Sequence, residues 1–374
     1  MSRVALPLLI AVGWVFGADA VSAQQVLEID YSAGRTIIDD PWRAIHWRTA
    51  IDRERRVLYL RDWEEPDGVM AFSLDTGEWI RTLMAPEGDG PQELPEGVET
   101  MSVAPDGRVY VSGKVRILEF DPQGEYLGHW TPNLAPRMSG AVCDIGGQPA
   151  VPTRNGVVRR GGEGSDEAIG ENVSVISGDP EDWDKTDEFI DELWRVQRAR
   201  ILCMPHAAFV VTEYGGLQSG GTPSNPVAKP DSLAIFYYGS NREGRLPIPA
   251  ALAADQALTT GPLLETDNRG HVVLLGVSMP TLIAQEGGFW DMGAVMDPEN
   301  GCQAVIRNPE KNMMQPRFMG VYQDSAVIGY LYREETTENG QRVITHHNYA
   351  NRVAIHPLRR VSGTPCPGML TSVN

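Results

Sequence analysis

A short strand–turn–strand unit recurs six times along this chain. In the clearest copy, Met101-Ser102-Val103-Ala104 leads into the tight turn Pro105-Asp106-Gly107, and Arg108-Val109-Tyr110-Val111 follows. A third stretch, 115–120, alternates apolar and polar residues, then turns at Asp121-Pro122-Gln123-Gly124 into a fourth, 125–130. Period-two alternation, broken by Asp, Pro and Gly at each junction, specifies short antiparallel strands. Residues 49–52 and 57–60 repeat the first half of the unit, and 70–74 turning at Asp75-Thr76-Gly77 into Glu78-Trp79-Ile80 repeat the second. The first hairpin returns at 141–151, 201–211, 263–275 and 318–330.

Six copies spaced by roughly 40–60 residues match the blades of a propeller. The expected fold is therefore all-β: a six-bladed β-propeller forming one domain over 24–374, with a helical insertion near 179–198. The third copy is the weakest, because its outer strands have no clear place between 157 and 176. Val353-Ala354-Ile355 reads as a third strand without a fourth after it. Val26 to Asp30 is expected to supply that fourth strand, so that the N-terminal strand closes the last blade and removes an open edge.

In a four-stranded meander, the first-to-second and third-to-fourth turns share one face. The second-to-third connections and the links between blades share the other. The first set is short throughout: 105–107, 121–124, 241–244 and 297–301. The second set is elaborated: a Gly/Ser/Pro-rich loop at 214–231, another at 278–290, and a hairpin over 333–351 turning at Asn339-Gly340. The stretch 179–198 on the same side reads as a helix, with Asp179 as N-cap and Pro180 at its first position. Long loops are uncommon unless functional or disordered, so this face is the expected binding face; growth on a tolerant surface is the other reading.

The stretch Gly88-Asp89-Gly90-Pro91-Gln92-Glu93-Leu94 is similar to a Gly-x-Gly-Pro-x-Glu-Phe linker that precedes blades. Together with 103–111 and Phe120-Asp121-Pro122-x-Gly124, it resembles the six-bladed propellers related to NHL repeats, found in many exported bacterial proteins. The resemblance is carried by residues 45–130 and implies the fold rather than an activity.

Residues 1–23 read as a signal peptide: Arg3, then the apolar run 4–16, then Val21-Ser22-Ala23 before Gln24. That run is shorter than the roughly 20 residues a membrane span needs. The expected location is periplasmic or secreted. The net charge of −18 disfavours nucleic acid and anionic membranes, so the expected partners are a protein or a small molecule, with no membrane span and a monomeric state. Four cysteines, Cys143, Cys203, Cys302 and Cys366, include no C-x-x-C pair. An even count in an exported chain suggests two disulfides, with buried thiols as the alternative. Equivalent inner-strand positions favour Cys143–Cys203, and a passing C-terminal tail favours Cys302–Cys366.

Arg48, Arg137, Arg200 and Arg317 recur where inner strands begin on the elaborated face. Together they form a partial cationic ring suited to a carboxylate, phosphate or sulfate, unless each pairs with a nearby acid. Trp63, Tyr214, Trp290 and Tyr332 are loop aromatics able to stack on a sugar, peptide or aromatic ligand, or else to cap their own loops. His346-His347 occupy adjacent strand positions that point to opposite sides, which suits no single metal. Enzymes of this fold, gluconolactonase-like hydrolases and peptide-amidating lyases, hold metals at inner-strand ends, where this chain offers Glu99, Asp144, Glu265 and Asp267. No nucleophile elbow, P-loop, dinucleotide fingerprint or His-Glu-x-x-His is present. The expected function is an exported binding or scaffold protein that takes a protein partner or small anionic ligand at the loop face and channel mouth, without a cofactor. The alternative is a metal-dependent hydrolase or lyase at the same mouth, with the metal in the channel.

Overall fold

The computed structural model describes residues 25–65, 67–133, 142–153, 156–169, 200–203, 207–211, 232–237, 242–247, 263–266, 272–275, 292–297, 301–309, 316–338 and 341–366. The expected signal segment 1–23, the helix expected at 179–198 and the loops expected at 214–231 and 278–290 lie outside them. Among the described residues the fold is all-β, relieved only by two three-residue 3-10 turns at Tyr31–Ala33 and Gly162–Gly164. No helix there is long and apolar enough to cross a membrane.

Local chemistry at the turns explains where the strands stop. Asp52 Oδ1 accepts from the backbone N–H groups of Glu54 and Arg55, and Asp106 Oδ1 from that of Arg108. Asp121 Oδ1 takes two such bonds, from Gln123 and Glu125. A short carboxylate that bonds its own backbone two residues on competes with the strand ladder and reverses the chain. Gly107 completes its turn at φ 90°, a left-handed conformation that costs a side-chain-bearing residue dearly.

These turns divide the chain into antiparallel meanders. The first is Ile45–Asp52, Val57–Asp62, Gly68–Ser73 and Trp79–Met84. The second is Thr100–Val103, Val109–Ser112, Ile117–Phe120 and Tyr126–Trp130. The third is Cys143–Asp144, Pro149–Thr153, Gly156–Arg160 and Asp166–Ile169, which places the two outer strands that the sequence left unassigned. The next is Arg200–Cys203, Ala207–Val211, Ser232–Tyr237 and Arg242–Pro247. Arg242 already pairs with Tyr237, so the turn expected at 241–244 falls earlier. Leu263–Thr266, Val272–Leu275, Met292–Met296 and Gln303–Arg307 follow. Pro316–Tyr322, Ser325–Glu338 and Gln341–Ser362 complete the series. The last two form a long hairpin whose ladder reaches Glu338 opposite Gln341, as the Asn339-Gly340 turn signal implied.

Alternation along one strand shows how the sheets stack. Leu58 and Leu60 face Met319, Val327 and Val353 of the last group, while Val57 and Tyr59 face Met101, Val109 and Leu118 of the second meander. Both faces of the sheet are thus buried, and a fully buried Leu or Val is worth roughly 1.5–3 kcal/mol over its exposed state. Tyr110, Ile117 and Trp130 meet Val142, Val151 and Val158 in the same way. First strands adjoin from sheet to sheet: Ile45–Asp52 lies beside Thr100–Val103 on one side and Pro316–Tyr322 on the other. Outer strands such as Trp79–Met84 and Tyr126–Trp130 keep exposed positions and form the rim.

The N-terminal segment joins the first and last groups, but with a different strand in the expected place. Arg35–Asp39, not Val26 to Asp30, pairs with 352–355. Gln25–Ile29 runs farther along the same partner, pairing with 358–362, and on its other edge runs parallel to Gln303–Arg307. A register shift between Thr36 and Ile38 buries both Ile37 and Ile38, an apolar pair that simple alternation assigns to opposite sides. Cys302 and Cys366 form a disulfide with Cα atoms 5.7 Å apart, packed in the apolar cluster around Leu27 and Ile306. The Cys366 backbone N–H donates to Gln25 Oε1 at 3.1 Å, so this disulfide and the strand Gln25–Ile29 meet at one junction. Cys143 is also disulfide-bonded, while the side chain of Cys203 lies outside the described residues.

Candidate functional site

The loop face is best defined where the chain enters the first meander. The link after Arg35–Asp39 turns at Asp40, whose Oδ1 accepts from the Trp42 backbone N–H at 3.0 Å. Asp62, almost fully buried at the end of Val57–Asp62, binds this link to the strand end. Its Oδ1 accepts from the backbone N–H groups of Ala44 and Glu64, each at 3.0 Å, and its Oδ2 from Arg43 Nη1 at 3.0 Å. Arg43 also pairs with Asp40 at 3.5 Å and with Glu65 at 3.3 Å. The Trp63 N–H donates to Ala44 O at 2.9 Å, so the two segments form one extended ladder.

On this base the two indoles stand out. Trp42 is 84 % exposed and Trp63 is 49 % exposed. Arg61, two residues before Trp63 and so on the same side of the strand, lays its guanidinium 4.3 Å from the Trp63 ring. His46 meets the ring edge-on at 5.2 Å. Arg61 also donates to Val98 O in the link entering the second meander. That link is itself anchored: Arg116 Nη1 donates to Gly90 O at 2.6 Å and to Glu93 O at 2.8 Å, and Lys114 pairs with Glu96. The arrangement offers rigid aromatic surface with a polar surround, chemistry that suits an aromatic, cationic or saccharide group.

The opposite, turn-bearing face is closed by charge. Arg108 is 16 % exposed and pairs with Asp106 at 2.7 Å, with Glu119, and with Asp144 at 2.9 Å. Arg160 joins Glu119 at 2.7 Å, and the Tyr110 hydroxyl donates to Asp144 Oδ2 at 2.7 Å. Burial opposes the Arg108 charge, but the hydrogen bonds to Asp106 and Glu119 hold its pKa above the usual arginine value. Burial, then the bond to Asp144, pushes the Tyr110 phenol well up. Between neighbouring turns Arg55 donates to Asp106 O at 2.6 Å. Arg56 pairs with Asp75 at 2.9 Å, and Tyr322 donates to the same carboxylate at 3.1 Å. The Arg56 hydrogen bond lowers the Asp75 pKa, while burial and then Asp75 raise Tyr322 to about 12.

Of the arginines and loop aromatics singled out from sequence, Trp63 is the one whose side chain is described, and it stands on this loop face. Arg48, Arg200, Arg317 and Tyr332 lie in described strands, but their side chains lie outside the described residues, as do Arg137, Tyr214 and Trp290 altogether. The cationic ring is therefore not assembled from described atoms. Asp144, offered as an inner-strand carboxylate, is engaged by Arg108 and Tyr110. Glu265 has its backbone alone described, and Asp267 lies outside. Among the described residues no group of three or more His, Cys, Asp or Glu side chains is placed to hold a metal ion. Sequence reasoning missed Trp42, Arg61 and His46. The i, i+2 spacing of Arg61 and Trp63 on one strand face was the signal for that stack; the link carrying Trp42 belongs to no repeat and left none.

No protein-family model matches the chain, and no curated protein matches it. The solved structures it is similar to include a catalytically inactive virginiamycin B lyase from Staphylococcus aureus with quinupristin, at 9 % identity and TM-score 0.43, covering 87 % of this chain and 99 % of that one. A WD40 domain of Neurospora crassa Pan2 has 10 % identity and TM-score 0.42, with coverage of 93 % and 97 %. A gluconolactonase from Xanthomonas campestris has 13 % identity and TM-score 0.40, with coverage of 90 % and 98 %. At these TM-scores the likenesses carry no functional assignment.

Proposed function

We propose that the chain is an exported six-bladed β-propeller, of the kind related to NHL repeats, that serves as a binding scaffold and seats a protein partner on its loop face. The stacking of each meander between two neighbours, with Pro316–Tyr322 returning to Ile45–Asp52, supports a closed ring. The pairing of the N-terminal segment with the last strands supports closure by that segment. The Cys302–Cys366 disulfide fits an oxidising compartment and hence export.

The observation that carries the binding reading is the exposure of Trp42 and Trp63 on a base fixed by buried Asp62. Trp79 on the rim is exposed too, but Trp42 and Trp63 share one loop-face base, and tryptophan is enriched among residues that dominate interfaces. The test is covalent footprinting of tryptophans in the purified protein, alone and in extract of the cells that make it. Trp42 and Trp63 are expected to lose reactivity in extract, while the rim residue Trp79 keeps it. Unchanged reactivity at Trp42 and Trp63, or protection of Trp79 instead, overturns the reading.

A further inference from the structure

We propose, resting on the reading that the loop face is the binding face, that the Trp42–Trp63 patch receives a basic segment of its protein partner, with arginine or lysine side chains laid on the indoles. The chain demonstrates the chemistry on itself, since Arg61 already lies over the Trp63 ring at 4.3 Å. Trp42, by contrast, makes no ring or cation contact among the described residues and presents most of its surface to solvent. An indole face attracts a guanidinium or ammonium through its quadrupole, more strongly than other side-chain rings do.

Charge complementarity selects the occupant. Over 39–43 and 61–67 the two segments carry six carboxylates against the two guanidinium groups of Arg43 and Arg61. Arg43 is consumed by Asp40, Asp62 and Glu65. Exposed Glu64 and Asp67 have no cation partner among the described residues. A second copy of this chain brings the same acidic patch and a net charge of −18, and is repelled. Anionic peptides and phosphate-bearing ligands meet the same opposition. A basic segment satisfies both the unpaired carboxylates and the uncovered ring.

The test uses octa-arginine as probe, octaglutamate as charge control and a neutral cello-oligosaccharide as ring control, titrated at low salt and read by calorimetry and tryptophan fluorescence. Octa-arginine is expected to bind. The Trp42→Ala/Trp63→Ala variant is expected to weaken it about tenfold, as loss of cation–π contacts implies. Glu64→Gln/Asp67→Asn is expected to weaken it several-fold at low salt, a difference that vanishes at about 1 M salt, where the Debye length falls to roughly 3 Å. Trp79→Ala on the rim is expected to change nothing. Equal octa-arginine affinity in the double tryptophan variant reduces the effect to net charge and overturns the proposal. So does binding of octaglutamate or the oligosaccharide in place of octa-arginine. If octa-arginine fails while extract still protects Trp42 and Trp63, the basic partner is wrong and the loop-face reading stands. If that protection is also absent, both fall.

Discussion

The two faces of the first three meanders are built from the same residue types and use them in opposite ways. On the turn face, arginine side chains bridge neighbouring meanders, Arg55 to Asp106 and Arg108 to Asp144, while Arg56 to Asp75 closes the two turns of the first. On the loop face, Asp62 collects Ala44, Glu64 and Arg43 within one meander, and Arg61 reaches across only to the Val98 carbonyl of the next link. The surface beyond it carries exposed tryptophan and the carboxylates of Glu64 and Asp67, which have no cation partner among the described residues. The difference teaches that one face holds the sheets together and the other holds a surface open.

If so, the largest losses of stability come from the turn face. Arg108→Ala takes the cation from Asp144 and leaves Glu119 with Arg160 alone, and is expected to cost roughly 3–5 kcal/mol, as removal of one member of a buried ion pair does. Urea unfolding measures it; a cost near that of a surface substitution breaks the comparison. At the terminal junction, Cys302→Ser with Cys366→Ser is expected to cost about 2–4 kcal/mol in the same assay, through the freed unfolded chain. Gly77→Ala comes next. Gly77 sits at φ 77°, and an added Cβ lies 2.5 Å from the Ile37 backbone oxygen. A left-handed alanine costs roughly 1–2 kcal/mol before that clash is counted.

A smaller, pH-dependent loss is expected at His356. The ring is buried against Tyr31, accepts or donates a 2.6 Å bond with the Tyr330 hydroxyl, and has Arg352 and Asp30 nearby. Burial first, then Arg352, hold its pKa below 6.5, against the opposing pull of Asp30. The unfolded state therefore takes the proton first. His356 contributes fully above the ordinary histidine value, and stability falls as pH drops below it toward the folded pKa. Unfolding midpoints between pH 7 and pH 5 are expected to fall more in the native chain than in His356→Gln. Trp42→Ala closes the series, with a change within about 0.5 kcal/mol, because an exposed ring loses little on truncation.

The turn face was largely legible in the sequence, because its chemistry is local. Asp106-Gly107 and Asp121 to Gly124 write their turns within a few residues, and strand parity then puts Leu58 and Val57 on opposite sheets. The junction was less legible. Val26 to Asp30 reads as a strand, whereas Arg35–Asp39 breaks alternation with the adjacent Ile37 and Ile38, and the bulge that buries both is a tertiary effect. The loop face was legible only in part. Trp63 carried a signal, being an aromatic at a strand end. Trp42 follows Asp40-Pro41 in a link that repeats nowhere else, and its exposure is decided by the distant carboxylate of Asp62.

The claim that the loop face recognises and the turn face holds is tested most directly by photo-cross-linking from both. A benzoylphenylalanine replaces Trp63 in one variant and the exposed turn residue Glu54 in another, and each is expressed in the cells that make the protein. The expected result is a discrete adduct from position 63, suppressed by added octa-arginine, and none from position 54. An adduct from position 54 alone, or equal adducts from both, contradicts it.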